Sequence, residues 1–175
     1  MPESYLRASR LHLPYNVKAA CTFEGETKNT IVALKYRNRR RFAKNLAARL
    51  FDELVAECGD PSRVFDVCTW APTTDEHRRR RGMDHAELIA RELGKMAGLP
   101  VKRLLRRRGS TTQTGRSRDQ RLVGPTFMAH PSCAGRRILV IDDVTTTGST
   151  LRAARRACRS SGAETVECWA VAATP

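Results

Sequence analysis

Two adjacent aspartates, Asp142 and Asp143, stand between an apolar run and a turn that is rich in hydroxyl groups. Residues 138–141 are only Ile, Leu and Val, a pattern typical of a strand buried on both faces. From Leu151 onward, apolar residues recur at helical spacing, so the turn is predicted to open a helix. The turn consists of Thr145, Thr146, Thr147, Gly148, Ser149 and Thr150.

This arrangement is typical of a sugar-phosphate site. Backbone N–H groups at a helix N-terminus, together with the positive end of the helix dipole, favour a phosphate, and Gly148 allows close approach of the backbone. Two carboxylates beside a phosphate suit a ligand with hydroxyl groups or with a bound divalent cation, and a ribose 5-phosphate offers both. The alternative is that the aspartates only cap the helix, but two carboxylates and five hydroxyls exceed what capping needs. Neither of the two commoner phosphate motifs, the P-loop and G-x-G-x-x-G, occurs in the chain.

A second anion-binding segment is predicted at the arginines at 78–81, which follow the apolar run that ends at residue 70 and lead into a predicted helix. Guanidinium groups bind pyrophosphate oxygens bidentately, and Arg79 and Arg81 are the candidates. A solvated arginine run is the alternative, but cations are unfavourable at a helix start. Lys35 is a further candidate for the same anion, although a single lysine before a helix is often only a surface residue.

The remaining pattern predicts strands that alternate with helices. Apolar residues at Phe42, Leu46, Leu50 and Leu54 indicate a helix that ends near residues 59–61. Such alternation predicts an α/β fold with a mostly parallel sheet flanked by helices, whose ligands bind at the carboxyl ends of the strands. The other predicted segments are a strand at 64–70, a helix at 82–99, a strand at 101–105, a long mobile loop at 106–125, a strand from 138, a helix at 149–159 and a strand at 165–172.

Length and composition indicate the number of domains, the charge of suitable partners and the expected location of the chain. A chain of 175 residues is predicted to form one domain, with residues 1–20 peripheral. The formal charge of +14 attracts polyanions, although an arginine-rich composition also arises from codon bias. Six cysteines without a C-x-x-C pair argue against a zinc ribbon. Without a signal peptide or a membrane-spanning apolar run, the chain is expected to be cytoplasmic, with no membrane insertion.

The turn after Asp143 resembles the signature by which type I phosphoribosyltransferases bind phosphoribosyl pyrophosphate (PRPP). Three further segments resemble the ComF group of that superfamily, and together the resemblance covers roughly residues 20–173. They are Leu34-Lys35-Tyr36; the Pro72 turn followed by Arg79, Arg81 and Gly82; and the ordered set Gln113, Gly115, Ser117, Arg121 and Phe127.

The resemblance implies a type I phosphoribosyltransferase-like fold and a role for each segment. Asp142 and Asp143 would hold the ribose 2- and 3-hydroxyls, and residues 145–150 the 5-phosphate. Ala71, Pro72 and Thr73, with Arg79, Arg81 and Lys35, would bind the pyrophosphate. Gln113 and Arg121 belong to the mobile loop that would close over the site. Mg²⁺ would arrive with PRPP as the cofactor and bridge ribose hydroxyls and pyrophosphate oxygens, and no direct protein ligand is assigned to it.

The chain departs from the family pattern in three places. The four-Cys zinc ribbon with which many members begin is missing, so any contact made through it is in doubt. Gly124 stands where the mobile loop usually has Asn. Thr146 occupies the position of an acidic residue in 6-oxopurine phosphoribosyltransferases, which makes purine salvage of that kind less favoured.

Two classes of function stay open. The first is a PRPP- or nucleotide-binding protein that transfers phosphoribosyl to a nitrogen base, with the base and any catalytic residue unassigned. The second is a non-catalytic DNA-uptake (natural competence) accessory protein that binds single-stranded DNA or competence proteins; a homo-oligomer is compatible with both. Aromatic residues are only 6% of the chain, which argues against base stacking on the protein. If Arg78–Arg81 and Arg106–Arg108 converge on one basic mouth, PRPP and DNA would compete there.

Overall fold

A central sheet of five strands positions the site. The computed structural model describes residues 11–13, 16–36, 41–74, 83–108 and 125–174. The sheet contains β1 (Leu11–Leu13), β2 (Val17–Thr22), β3 (Val67–Trp70), β6 (Arg137–Thr145) and β7 (Thr165–Ala173) in the order β1-β2-β7-β6-β3. Only β1 is antiparallel to its neighbour, so the sheet is mostly parallel, as predicted.

Helices cover both faces of this sheet. On one face, α1 (Gly25–Tyr36), α2 (Arg41–Cys58) and α4 (His85–Ala97) pack on side chains that include Leu139, Ile141 and Trp169. On the other face, α5 (Ser149–Ser160) packs with a two-stranded ribbon of β4 (Leu105–Arg107) and β5 (Phe127–Ala129). Burial on both faces accounts for the uninterrupted apolar residues of β6 and β7. Two short helices, α3 (Pro61–Val64) and a 3₁₀ turn (Pro131–Cys133), complete the described elements.

Several predicted elements are confirmed with shifts at their ends. The helix around Leu46 and Leu50 is α2, and the helix predicted at 82–99 is α4, which ends before Gly98 at a φ of 65°. The strand predicted from 138 is β6, the helix at 149–159 is α5, and the last strand is β7.

Two predicted strands are placed wrongly. Residues 64–66 precede the strand rather than begin it, because Asp60 caps a short helix that has Pro61 in its first turn. The strand predicted at 101–105 is only an isolated bridge between Val101 and Cys68, and the true strand is β4. Arg106 and Arg107 therefore lie in a strand and not in the predicted loop.

The largest difference between the prediction and the structure lies in the N-terminal region. Residues 17–20 are not peripheral, since β2 pairs in parallel with β7 and Val17 and Ala19 are fully buried. Helix α1 was not predicted, because its buried face rests on only three residues, Thr27, Ile31 and Leu34, among polar neighbours. This helix places Lys35 in its last turn.

No helix in the described ranges is long and apolar enough to cross a membrane.

Candidate functional site

Asp142 and Asp143 lie inside the carboxyl-terminal part of β6, which continues to Thr145. Asp142 is paired in register with Ala170 of β7, so the strand does not end at the aspartates as the sequence had suggested. The Asp143 N–H donates to Asp142 Oδ1 at 2.8 Å, and the Val144 N–H donates to Asp143 Oδ1 at 2.7 Å. One oxygen of each carboxylate is thus fixed by the following peptide, which orients both side chains.

The two aspartates each interact with a cation, and the two cations come from different layers of the fold. Lys35 of α1 makes an ion pair with Asp143, with 2.8 Å between Nζ and Oδ2. On the other layer, Arg107 of β4 lies over the Phe127 ring, and the negative charge of Asp142 acts on its guanidinium. Neighbouring strand residues point to opposite faces, which is why two adjacent aspartates reach two different layers.

A third carboxylate, Asp84, adjoins this pair. It is only 6% exposed at the start of α4, and its Oδ2 accepts the Thr73 N–H at 2.9 Å. Sequence reasoning did not assign it a role, and its one signal was an aspartate directly before a helical pattern. Asp84 ties the helix to the predicted pyrophosphate segment and brings that segment next to Asp143.

The pKa values in this cluster are shifted partly because three carboxylates lie close together. Burial, together with the charge of Asp143, holds the pKa of Asp142 well above its usual range, although Lys35 opposes the shift. Burial also raises the pKa of Asp84, with the Asp143 charge acting in the same direction. The pKa of Arg107 is lowered by burial, against the favourable charge of Asp142. A bound cation or a set of hydroxyl donors would relieve this repulsion.

The predicted phosphate turn forms a compact loop into α5. Gly148 has a φ of 74°, a left-handed conformation that other residues adopt only at a cost. The Gly148 N–H donates to the buried Thr145 Oγ1 at 3.1 Å, and the Thr145 carbonyl accepts the Thr174 N–H at 2.9 Å. Thr145 therefore shapes the loop, and its hydroxyl already has a partner.

The other hydroxyls of the turn are more accessible. Thr146 and Thr147 are exposed, while Ser149 and Thr150 are half-buried at the first turn of the helix. The Ser149 N–H reaches Thr147 Oγ1 at 3.3 Å, a long hydrogen bond that a phosphate oxygen can replace. The geometry of the loop matches what an anion at a helix N-terminus requires.

The pyrophosphate segment is only partly within the described ranges. The Ala71 N–H donates to the Ile141 carbonyl at 2.9 Å, which places Ala71, Pro72 and Thr73 beside the strand that carries the carboxylates. Arg79, Arg81, Gln113 and Arg121 lie outside the described residues. The structure thus brings together the carboxylate pair, the phosphate turn, Lys35 and the stem of the pyrophosphate segment.

The side chains at the site indicate how a metal ion would bind. Within the residues that the structure describes, no group of three or more His, Cys, Asp or Glu side chains is arranged to hold a metal ion. Mg²⁺ is commonly bound by one or two carboxylates together with substrate phosphates, and Asp142 and Asp143 supply oxygen donors that fit such a mode.

We expect Asp142→Asn to stabilise the ligand-free protein more at pH 8 than at pH 5. A carboxyl whose pKa is raised by folding contributes stability at low pH that is lost as the pH rises through the folded-state pKa, and asparagine removes this loss. The gain at pH 8 is expected to be about 0.5–2 kcal/mol, the range seen when a functionally strained group is relieved. Urea unfolding of both proteins at the two pH values measures it.

The matched control is Asp52→Asn, on the exposed side of α2. This control is expected to change the free energy of unfolding by less than about 0.5 kcal/mol at either pH. An Asp142→Asn protein that is less stable than the wild type at pH 8 would show that the charge is stabilising and that the pKa argument is wrong.

Comparisons with known proteins identify the family of the chain. The family described as "Phosphoribosyl transferase domain" matches residues 79–175. The DNA utilization protein YhgH of Salmonella typhi is 27% identical over 151 residues, which cover 81% of this chain and 64% of that protein. Competence protein F of Haemophilus influenzae is 30% identical over 100 residues, 53% of this chain and 44% of the relative. The chain thus spans less than two thirds of the length of these relatives.

Among solved structures, the allosteric regulatory enzyme of purine biosynthesis is 22% identical, with a TM-score of 0.49 over 74% of this chain and 25% of that chain. Glutamine PRPP amidotransferase from B. subtilis is also 22% identical, with a TM-score of 0.48 over 74% of this chain and 26% of that chain. The family match spans more than half of the sequence and includes the carboxylate pair and the phosphate turn. The chain belongs to the phosphoribosyl transferase domain family, as a ComF-like member with the type I fold.

Proposed function

We propose that the protein binds PRPP, or a nucleotide with the same ribose 5-phosphate group, through Asp142, Asp143 and the turn from Thr145 to Thr150. One observation carries the proposal: two oriented carboxylates and a left-handed glycine at a helix N-terminus follow each other on one strand. Carboxylates accept hydrogen bonds from ribose hydroxyls, and helix N–H groups donate to the phosphate. A single ribose 5-phosphate can contact the carboxylates through its hydroxyls and the helix N–H groups through its phosphate.

We also propose that PRPP serves as a phosphoribosyl donor. A nitrogen nucleophile would attack the anomeric carbon, the new C–N bond would replace the C–O bond, and pyrophosphate would leave with the bonding electrons. Asp142 and Asp143 would fix the sugar for this attack, and Arg79 and Arg81 would stabilise the charge on the leaving group. Asp142 and Asp143 would help to hold Mg²⁺ that enters with PRPP, and the ion would supply positive charge that favours departure of the pyrophosphate. The acceptor base and a general base remain unassigned.

PRPP with Mg²⁺ is expected to stabilise the folded protein. A ligand at about 100 times its dissociation constant adds roughly 2.7 kcal/mol to the free energy of unfolding when it binds only the native state. Thermal unfolding with PRPP, ribose 5-phosphate and nucleoside monophosphates, each with and without Mg²⁺, measures the shift. Free ribose and inorganic pyrophosphate alone serve as controls. No shift with any of the three phosphorylated ligands would refute the proposal.

A second candidate function is the binding of single-stranded DNA, which would fit a role in DNA uptake beside competence proteins. The observation that favours it is a groove of about 530 Å³ between β5 and α5. Its apolar floor includes Phe127 and Ala153, and Arg156 lines its side. We call this feature the α5 groove.

Arg156 lines the α5 groove, and two further exposed arginines lie on β4 and just after it, next to the strand that forms the other side. Arg106 of β4 is paired in register with Met128, which is 52% exposed and lines the groove, so the two residues share a face. Arg108 lies two residues further along and is exposed, as is Arg156 across the groove. The names of the relatives, a DNA utilization protein and a competence protein, support the same candidate.

This arrangement separates the predicted basic residues. Arg107 is paired with Phe127 and is acted on by the charge of Asp142, whereas Arg106 is paired with Met128, so these two neighbouring arginines point to opposite faces of the ribbon. The groove runs along α5 from Ala153, about one turn after the start of the helix, to Ser161 beyond its end. DNA held in the groove would therefore extend away from the phosphate turn.

A further inference from the structure

Lys35 and Asp143 form the only ion pair that the described residues show within the carboxylate cluster. The lysine side chain is 21% exposed and the aspartate side chain 13%, so most of the surrounding water is excluded. The backbone of Lys35 is held in place because its neighbour in α1, Leu34, is fully buried in the hydrophobic core. The ammonium group, at the end of a flexible four-carbon chain, is the mobile part.

The ion pair competes with the proposed ribose contact. Asp143 Oδ1 already accepts the Val144 N–H, and Lys35 Nζ lies on Oδ2. A ribose hydroxyl that bonds Asp143 must therefore share or displace the ammonium group. A displaced ammonium group in a mostly buried site is costly unless it reaches another anion.

PRPP would bring a pyrophosphate group to this region, an anion that ribose 5-phosphate lacks. The predicted pyrophosphate segment adjoins Asp143 through Asp84, whose carboxylate holds the Thr73 N–H. The charge of Asp143 acts on Asp84, and the charge of Lys35 acts on Asp142, so these groups lie within electrostatic reach of one another. A pyrophosphate bound beside Thr73 would offer the flexible lysine side chain a new anionic partner once ribose occupies Asp143.

We propose that Lys35 is an exchangeable cation that neutralises Asp143 in the free protein and transfers to the pyrophosphate group of the ligand when ribose hydroxyls take its place. The inference rests on the proposed PRPP site and adds a specificity device to it. PRPP compensates the displaced ammonium group, whereas ribose 5-phosphate does not. Lys35 therefore selects the activated donor over the sugar phosphate that lacks a pyrophosphate.

The test compares two ligands on one set of variants. Calorimetric titration at pH 8 with Mg²⁺ gives the dissociation constants of PRPP and ribose 5-phosphate for the wild type, Lys35→Met, Lys35→Gln and Lys35→Arg. For Lys35→Met and Lys35→Gln, PRPP affinity is expected to fall about 10- to 100-fold, the range for a lost charged hydrogen bond. Ribose 5-phosphate affinity is expected to stay the same or increase. Arginine is expected to retain most of the preference for PRPP.

Lys18→Met is the matched control. Lys18 is likewise mostly buried, and it pairs with Glu57 and Glu167 at 2.9 and 3.1 Å, near the start of β7 and far from the phosphate turn. Its loss is expected to lower stability without changing the ratio of the two affinities. Lys35→Gln keeps the test valid if the methionine variant folds poorly.

Two results would overturn the inference. Equal weakening of both ligands would mean that Lys35 only holds the site together, and unchanged affinities for both would mean that it takes no part. A wild-type protein that binds neither ligand would refute the proposed function first, and the inference with it; a wild-type protein that binds both, with a ratio insensitive to Lys35, refutes only the inference.

Discussion

The double substitution Asp142→Asn with Asp143→Asn is expected to lower PRPP affinity by at least about 100-fold. Each carboxylate would accept a charge-assisted hydrogen bond from a ribose hydroxyl, and such bonds are worth about 1.5–3 kcal/mol. Asparagine keeps the size of the side chain but offers one neutral oxygen acceptor, so both bonds weaken together. Calorimetric titration with PRPP and Mg²⁺ measures the change.

The fold is expected to survive this double substitution. Asparagine oxygens can still accept the Asp143 and Val144 N–H groups, and the substitution relieves the repulsion between the carboxylates. The melting temperature of the ligand-free variant and its far-ultraviolet circular dichroism provide this control. An unfolded variant would show that the carboxylates are structural, and a folded variant with wild-type affinity would remove them from the site.

The second large effect concerns DNA. Replacing Arg106, Arg108 and Arg156 with glutamine is expected to weaken binding of a 20-nucleotide oligo(dT) by about 100-fold at 0.1 M salt. Each lost phosphate contact lowers the slope of log K against log salt by about 0.7 for a single strand, so the slope is expected to fall by about two. Fluorescence anisotropy over a salt series measures both quantities.

A second triple variant with the same net charge as the first serves as the control. It distinguishes DNA binding in the α5 groove from attraction by the overall positive charge. Arg63, Arg91 and Lys95 are exposed, pair with carboxylates in their own segments and do not line the α5 groove. Their replacement by glutamine also removes three positive charges and is expected to have a much smaller effect. Equal weakening by both triple variants would assign DNA binding to net charge, and competition by saturating PRPP would place DNA at the phosphate site.

The parts of the site that are close together in the sequence were predictable. A buried strand, two aspartates, a hydroxyl-rich turn and a helix are set by residues 138–151, and each element follows from local pattern and turn chemistry. The mostly parallel sheet followed in the same way from alternating elements. These features depend on interactions between near neighbours in the chain.

The contacts that complete the site were not predictable from pattern. Lys35 meets Asp143 only because α1 packs on one face of the sheet, and the polar sequence of that helix hides its buried side. Arg107 lies in a strand of three residues, too short for a clear alternation. Asp84 reaches Thr73 across a segment of eleven residues, a distance at which local propensity carries no information.

The distribution of thiols has a practical consequence. All six cysteines are free; Cys58 is half-buried, and the other five are buried in different elements, with Cys21 in β2 and Cys68 in β3. Burial raises the pKa of the Cys68 and Cys168 thiols to about 12, so little reactive thiolate forms while the strands stay closed. Alkylation at each of the five buried cysteines therefore requires its element to open, and the chain carries built-in chemical reporters of its own local unfolding.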